Sequence, residues 1–321
     1  MRAARGMARR VPAWRVPVGP GVVIGGLVLA FLLDWRLVLM LAVWLGAWGL
    51  NAGLARGAAG GSAGAVTGAR VAVPVIFGLT LLGLWELAVR LYEVSPVILP
   101  APSAIAVAFA ANTGTLWADF VQTILRGALP GYAIGCGAAV LVALAVDRSR
   151  FLQRGVMPVG SFLAALPIVG TAPILVMWFG FGPASKAAVV VAMVFFPMLV
   201  NAVAGLRASD AMQRDLMHTY AASGWQELVK LRLPNALPFV FNGLKICTTL
   251  ALIGAIVAEF FGSPTVGMGF RIKIEVGRLA MDMVWAEIAV AALAGSAFYG
   301  LMALAERGLT FWHPSQRARM R

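Results

Sequence analysis

Of the 321 residues, 61% are hydrophobic and only 12% charged, yet the net charge is +13. So few polar residues cannot clothe a soluble core of this length, which excludes a water-soluble globular domain and removes the usual reason for reading a basic excess as nucleic-acid binding. The two cysteines, Cys136 and Cys247, both lie in apolar runs, which excludes a disulfide framework, and no His/Cys spacing suits a metal.

Several apolar runs reach or approach the roughly 20 residues that span a bilayer core as a helix. The fold class expected is therefore all-α, a polytopic helical membrane protein with about eight transmembrane helices. The basic arm "MRAARGMARRVPAWR" leads into a hydrophobic run with no small-residue cleavage site, so it reads as a retained anchor. Helices at 18–33 and 36–54 form a hairpin around Asp34 to Arg36. The first is short enough that a single bent re-entrant pair, and seven helices in all, is the alternative. Residues 55–70, "ARGAAGGSAGAVTGAR", have a linker's composition and no apolar period. They are expected to be a flexible cytoplasmic linker between an N-terminal unit, 1–54, and a core, 71–321.

Six further helices are expected at 71–91, 127–147, 157–180, 187–206, 239–261 and 284–305. The segment between the first two begins extended at its prolines and continues with the spacing of a surface helix. The 157–180 helix holds Pro158, Pro167 and Pro173, so a break or kink is expected there; inside a bundle, neighbours and water can satisfy the freed backbone groups. "GYAIG" (131–135) has the spacing of a close helix contact. An even number of helices puts both termini on one side. With that topology nineteen of the twenty-six Lys and Arg residues share one face, which the positive-inside rule makes cytoplasmic.

Residues 207–238, "RASDAMQRDLMHTYAASGWQELVKLRLPNALP", are too charged to cross the membrane, yet they are patterned. Ala221, Trp225, Leu228 and Val229 recur on one side of a helix, and Gln226, Glu227 and Lys230 on another. Glu227 and Lys230 stand at i, i+3, a spacing that supports a surface helix. Pro234 should stop that helix at Leu233, with Asn235 capping the next and Pro238 in its first turn. The expectation is a short helix-turn-helix lying on the cytoplasmic face and running into a membrane helix, a shape that can pass force from a partner into the bundle. A solvated loop resting on membrane lipid is the plainer alternative.

From about Leu99 onward the sequence resembles the permease subunits of bacterial binding-protein-dependent ABC importers, in the nitrate, sulfonate and taurine branch. The resemblance rests on "LPAPSAI" (99–105), "LPIVGTAPILVMWFGFGPASK" (166–186), "FFPMLVNAVAGLR" (195–207), "FNGLKI" (241–246) and "AEFFGSPTVGMG" (258–269), in the family's order. It implies that the 207–238 loop is the coupling loop that docks on an ATP-binding subunit. Aligned on Trp225 and Pro234, Asp215 stands at the family's Glu, and Ala222 and Ser223 match its Ala-Ser. Leu216 and Met217 replace two alanines, and Ala221 replaces a glycine, a position where φ > 0 resists a side chain. Gly224 is the candidate to supply that freedom, and Glu227 and Leu228 complete the loop's contact set. The stretch 275–315 resembles a sub-branch serving riboflavin or pyrimidine vitamin precursors, which ranks those solutes ahead of sulfonate, taurine or nitrate.

The implied partners are two copies of an ATP-binding subunit, an extracytoplasmic solute-binding protein and a second permease subunit, most simply an identical one, in a bacterial inner membrane. No cofactor and no catalytic residue is expected, and ATP hydrolysis falls to another chain, since no Walker-type phosphate loop occurs. Ionisable residues near membrane helices mark functional candidates: Glu86, Glu259 and Glu287. Glu259, in the matching "AE", is the candidate for the translocation path, against a structural role. His218 and His313 lack partners at ligand spacing. An ion-driven secondary transporter is the competing class, but it favours broken helices in both halves, and here the prolines gather in one. An intramembrane enzyme would need paired acids or His clusters, and none is visible.

Overall fold

The computed structural model describes residues 25, 34–59, 63–164, 166–262 and 265–311. The basic arm, the helix expected at 18–33 and the tail with His313 lie outside them, Gly25 apart. All regular structure among the described residues is helical, as a bilayer demands of backbone that must satisfy its own polar groups. Among the described residues six helices are long and apolar enough to cross a membrane: Trp35–Ala58, Val66–Leu91, Thr113–Arg148, Pro183–Leu206, Gly224–Gly262 and Met281–Leu309. The chain is an all-α polytopic membrane protein.

It divides into two compact units, Met1–Ser95 and Pro96–Arg321. The first holds α1 (Trp35–Ala59) and α2 (Ala63–Leu91), packed on one another with Trp44 edge-on to Phe77 at 5.8 Å. Two expectations change here. Helix covers 55–59 and 63–70 of the expected linker, because a segment this rich in alanine has high helix propensity. The helix expected at 71–91 also groups with the N-terminal unit, so the second unit begins at Pro96 rather than at 71.

The second unit runs α3 (Pro102–Ala111), α4 (Thr113–Phe120), a π-helical segment π1 (Val121–Ala128), α5 (Leu129–Arg148), α6 (Arg150–Ala164) and α7 (Ile168–Phe179). It continues with α8 (Pro183–Leu206), α9 (Ala211–Thr219), α10 (Gly224–Glu227), a second π segment π2 (Leu228–Arg232), α11 (Leu233–Gly262), α12 (Met268–Gly277) and α13 (Met281–Leu309). The proline-rich helix is broken as expected, Pro167 capping α7 after the gap. It begins at Arg150, earlier than 157.

The other prolines are handled differently. The helix expected at 127–147 extends back through π1 to Thr113, and the one expected to stop at Leu233 runs unbroken from Gly224 to Gly262. In each, a Leu-Pro pair follows the π segment directly: Leu129-Pro130 and Leu233-Pro234. A proline inside an α-helix lacks one donor and presses its ring on the carbonyl four residues back. The wider π turn relieves that clash, with the Leu129 amide donating to the Ile124 carbonyl and the Leu233 amide to that of Leu228. Pro234 therefore marks a π turn, not a helix end.

Helix α8 lies between α5 and α11 and packs closely on both. On α5 the stripe Gly131, Gly135, Ala139, Ala143 is buried at intervals of four; on α11 Gly243, Cys247, Ala251 and Ala255 do the same. Between helices in lipid, attraction comes from close van der Waals contact, so small residues at the seam are what bring backbones together. A Cβ on Gly131 would stand 2.5 Å from Val190 Cβ, and one on Gly135 3.1 Å from the Val191 Cα, so the "GYAIG" spacing is a real helix contact. Gly137, on the same helix, faces open space. Gly135→Ala is therefore expected to destabilise the detergent-purified protein by about 1–3 kcal/mol through overpacking, lowering its melting temperature. Gly137→Ala should leave it unchanged or raise it slightly; equal melting temperatures for the two variants would refute the packing assignment.

Candidate functional site

The patterned segment between α8 and α11 is built by local rules. Helix α9 ends in a Schellman turn, the Ala221 amide donating to the His218 carbonyl at 2.9 Å and the Ala222 amide to that of Met217 at 3.0 Å. The residue that must turn left-handed there is Ala221 itself, at φ +52°. Gly224 does not supply the turn; it is the first residue of α10. Ser223 caps α10, its hydroxyl accepting the Gln226 amide while the Gln226 side chain accepts the Ser223 amide at 2.9 Å.

Two faces result. Met212, Leu216, Tyr220 and Trp225 are between 56% and 77% accessible, and Trp225 lies 5.7 Å from the guanidinium of Arg148 at the end of α5. Asp215, Ser223 and Val229 are also exposed, while Ala222, Glu227 and Pro234 are half-buried. Leu228 is 6% accessible and belongs to the core of the unit. The stripe read from the sequence thus divides, Trp225 outward and Leu228 inward, because π2 intervenes at Leu228 and alters the helical phase. The same change of phase separates Glu227 from Lys230, which form no ion pair among the described residues.

The inward face is bonded to the bundle. Arg214 donates to the carbonyls of Arg207 and Ser209, and Asn235 Nδ2 to Gln213 Oε1 at 3.2 Å. Arg232 forms an ion pair with Asp147 on α5 and donates to the Leu206 carbonyl of α8 at 3.1 Å.

At the opposite end of the second unit a buried polar network secures α12. The leading amides of this helix have no partners of their own, and side chains from other elements take them. The Gly267 amide donates to Asp119 Oδ1 at 2.6 Å, that of Met268 to Thr123 Oγ1 at 2.8 Å, and that of Gly269 to Glu259 Oε2 at 3.0 Å. Lys186 Nζ is 2.8 Å from Glu259 Oε1, Thr123 donates to Glu259 Oε2 at 2.7 Å, and Arg271 Nε lies 2.9 Å from Asp119 Oδ2. Carboxylates at this terminus also complement the helix dipole. Gly267 is required, at φ +133° and with no room for a Cβ beside the Glu259 carboxylate. Glu259, expected on a translocation path, is instead wholly enclosed, its side chain 0% accessible and its oxygens engaged by three donors. Glu287 is buried facing Asp119, and neither of its oxygens has a donor among the described residues. Glu86 pairs with Arg90 one turn along α2.

Between α6, α7 and α8 a cavity of about 980 Å³ is lined by Phe151, Gly160, Thr171, Trp178 and Phe196 among others, with no charged residue. Leu166, just before α7, is among its lining residues. No group of three or more His, Cys, Asp or Glu side chains is placed to hold a metal among the described residues.

The segment between α8 and α11 thus has a bonded inner face and an open apolar outer face. Residues 131–311, more than half of the chain, match the family described as binding-protein-dependent transport system inner membrane component. The chain belongs to that family. This transport component is 32% identical over 237 residues to the riboflavin transport system permease protein of Chloroflexus aurantiacus, covering 73% of this chain and 88% of the relative. It is 29% identical over 243 residues to the formylaminopyrimidine transport permease protein of Halalkalibacterium halodurans, covering 76% and 96%. To the taurine transport system permease protein of Escherichia coli it is 30% identical over 245 residues, covering 73% and 86%.

The residues of this permease that sequence reasoning missed are the polar and charged partners: Asp119, Thr123 and Lys186 at one end, Asp147 and Arg232 at the other. A signal existed for Asp147, an acid in the last turn of a helix, where the dipole disfavours it.

The left-handed Ala221 costs about 1–2 kcal/mol, and glycine's greater freedom in the unfolded chain takes back about 0.5–1 kcal/mol. Ala221→Gly is thus expected to stabilise the α9 turn by about 0.5–1 kcal/mol, read as slower hydrogen exchange at the 221 and 222 amides. Faster exchange at both would show that the turn is not held as described.

Proposed function

We propose that this chain is the membrane-spanning permease subunit of an ABC importer and that the 207–235 segment docks in a cleft of a separate ATP-binding subunit. The observation that carries the reading is the row Met212, Leu216, Tyr220 and Trp225, accessible on a segment whose other face is bonded to the ends of α5 and α8. The complex comprises two permease subunits, most simply two copies of this chain, two ATP-binding subunits and an extracytoplasmic solute-binding protein. Closure of the ATP-binding pair drives the two docking segments together and biases the bundle between inward-open and outward-open states, a two-state element moved by a partner. Hydrolysis of ATP belongs to the partner, and both termini and the docking segment lie on the cytoplasmic side, in keeping with the distribution of Lys and Arg.

The solute path runs by the apolar cavity beside the α6–α7 break, because open backbone at membrane depth is tolerated where it is covered by protein or lines a water-filled space. An uncharged, aromatic-lined wall of this size suits a flat heteroaromatic solute better than a small sulfonate or nitrate anion, and two of the relatives above are named for riboflavin and formylaminopyrimidine transport. Riboflavin or a thiamine-precursor pyrimidine is the solute this favours.

Trp225→Ala removes a large aromatic anchor of the kind that dominates interfaces, a loss of about 2 kcal/mol or more in docking. The purified ATP-binding subunit should bind inside-out vesicles bearing the native permease, fail to bind right-side-out ones, and bind inside-out vesicles of Trp225→Ala at least about tenfold more weakly. Equal binding to the variant would overturn the docking assignment, and binding to right-side-out vesicles would reverse the topology. For the solute, proteoliposomes containing the whole complex and its binding protein should accumulate labelled riboflavin or formylaminopyrimidine. Accumulation of taurine or nitrate in their place would return the permease to the anion branch.

A further inference from the structure

Docking explains the outward face of the 207–235 segment, but it does not require what Arg232 does. The last residue of π2, Arg232 sends its guanidinium to two acceptors on two different helices: the Asp147 carboxylate near the end of α5, and the carbonyl of Leu206, the last residue of α8. The Asp147 side chain is 6% accessible and that of Arg232 19%, so the pair is largely withdrawn from solvent. Helix stability alone argues against an acid at position 147, since the end of α5 carries negative partial charge. Leu206 likewise presents one of the carbonyls that a helix leaves unsatisfied at its end. One planar fork of donors answers both, its Nε on the Leu206 carbonyl and its Nη2 on the Asp147 carboxylate, in a fixed geometry that a freely rotating ammonium does not impose. The next residue of α5, Arg148, meets Trp225, so the last two residues of that helix both hold the docking segment.

We propose that Arg232 is a positioning residue for energy coupling: it binds the docking segment to the ends of α5 and α8, so that the ATP-binding subunit moves these helices together with α11. Without it, the ends of α5 and α8 lose the one side chain that ties both of them to the segment. This rests on the docking reading above, and the test separates the two.

Arg232→Gln, Arg232→Lys and Asp147→Asn are compared with the native permease in the reconstituted complex with its ATP-binding subunit and binding protein. Assembly, basal ATP hydrolysis, its stimulation by loaded binding protein and solute moved per ATP are all measured. Co-purification of the ATP-binding subunit should stay within about twofold, since Trp225 and its exposed neighbours are untouched. Solute moved per ATP should fall at least about tenfold in Arg232→Gln, the scale of one lost charge-assisted hydrogen bond. Arg232→Lys should fall between the two, and combining Arg232→Gln with Asp147→Asn should add little, because both act through one bond. A simple structural staple predicts a different pattern: assembly and transport falling together, with solute per ATP unchanged. That pattern, or an unchanged ratio in an assembled Arg232→Gln complex, overturns the proposal. Should Arg232→Gln fail to assemble, Asp147→Asn decides by the same ratio, because its side chain lies outside the docking face. Failure of docking itself would appear separately, as undiminished binding of Trp225→Ala.

Discussion

Helix α8 can lie against α5 and α11 only because each offers it a stripe of glycine, alanine or cysteine in which no side chain holds the backbones apart. Lipid gives apolar helices no hydrophobic reason to associate, so the closeness of this contact is itself the source of attraction. The Cys247 thiol, facing the Val194 carbonyl at 3.4 Å, fits the seam for the same reason as its alanine neighbours. Two of the polar networks in the second unit are arranged around these three helices. Lys186 and Glu259 meet because the first turn of α8 and the last turn of α11 are brought together. Arg232 reaches both Asp147 and Leu206 because α5 and α8 end side by side.

The two ends of this seam differ in kind. At the end holding α12, the charges are enclosed and turned inward, and removing one partner of such a buried pair strands the other at a cost of about 3–5 kcal/mol. At the docking end, charged groups fasten the inner face while the apolar side chains are left outside. One end is closed on itself, and the other leaves an apolar surface open.

Long apolar runs, the break at Pro167 and the close contact at Gly131 and Gly135 were legible in the sequence because each follows from local composition or spacing. So was the helical patterning of 207–235, from a charged stretch in an apolar chain. Three things were not. The pairing of Lys186 with Glu259 spans 73 positions and depends on where two helix ends meet. The Leu-Pro pairs at 129–130, 166–167 and 233–234 read alike, yet the middle one breaks its helix and the outer two are absorbed by π turns. Finally, the left-handed Ala221 was sought in the nearby Gly224. Two further helices close the same way, with Glu93 at φ +50° and Leu279 at φ +62°. At these three helix ends a residue with a side chain bears the left-handed turn, whereas Gly180 and Gly267 hold positive φ elsewhere.

The π turn at Leu228–Arg232 makes the aim of the docking face a matter of chain length as well as side-chain identity. A π turn holds one residue more than the α geometry around it, so it behaves as a one-residue insertion that the helix has kept. Each residue of an α-helix advances it by about 1.5 Å and turns it by about 100°. Deleting one residue among 229–231 would restore the regular spiral while keeping Leu228 and Arg232 in the chain. It would also swing Trp225 by roughly a quarter-turn relative to the membrane helix that follows. Substitutions can tune this junction, but re-aiming it takes an insertion or a deletion.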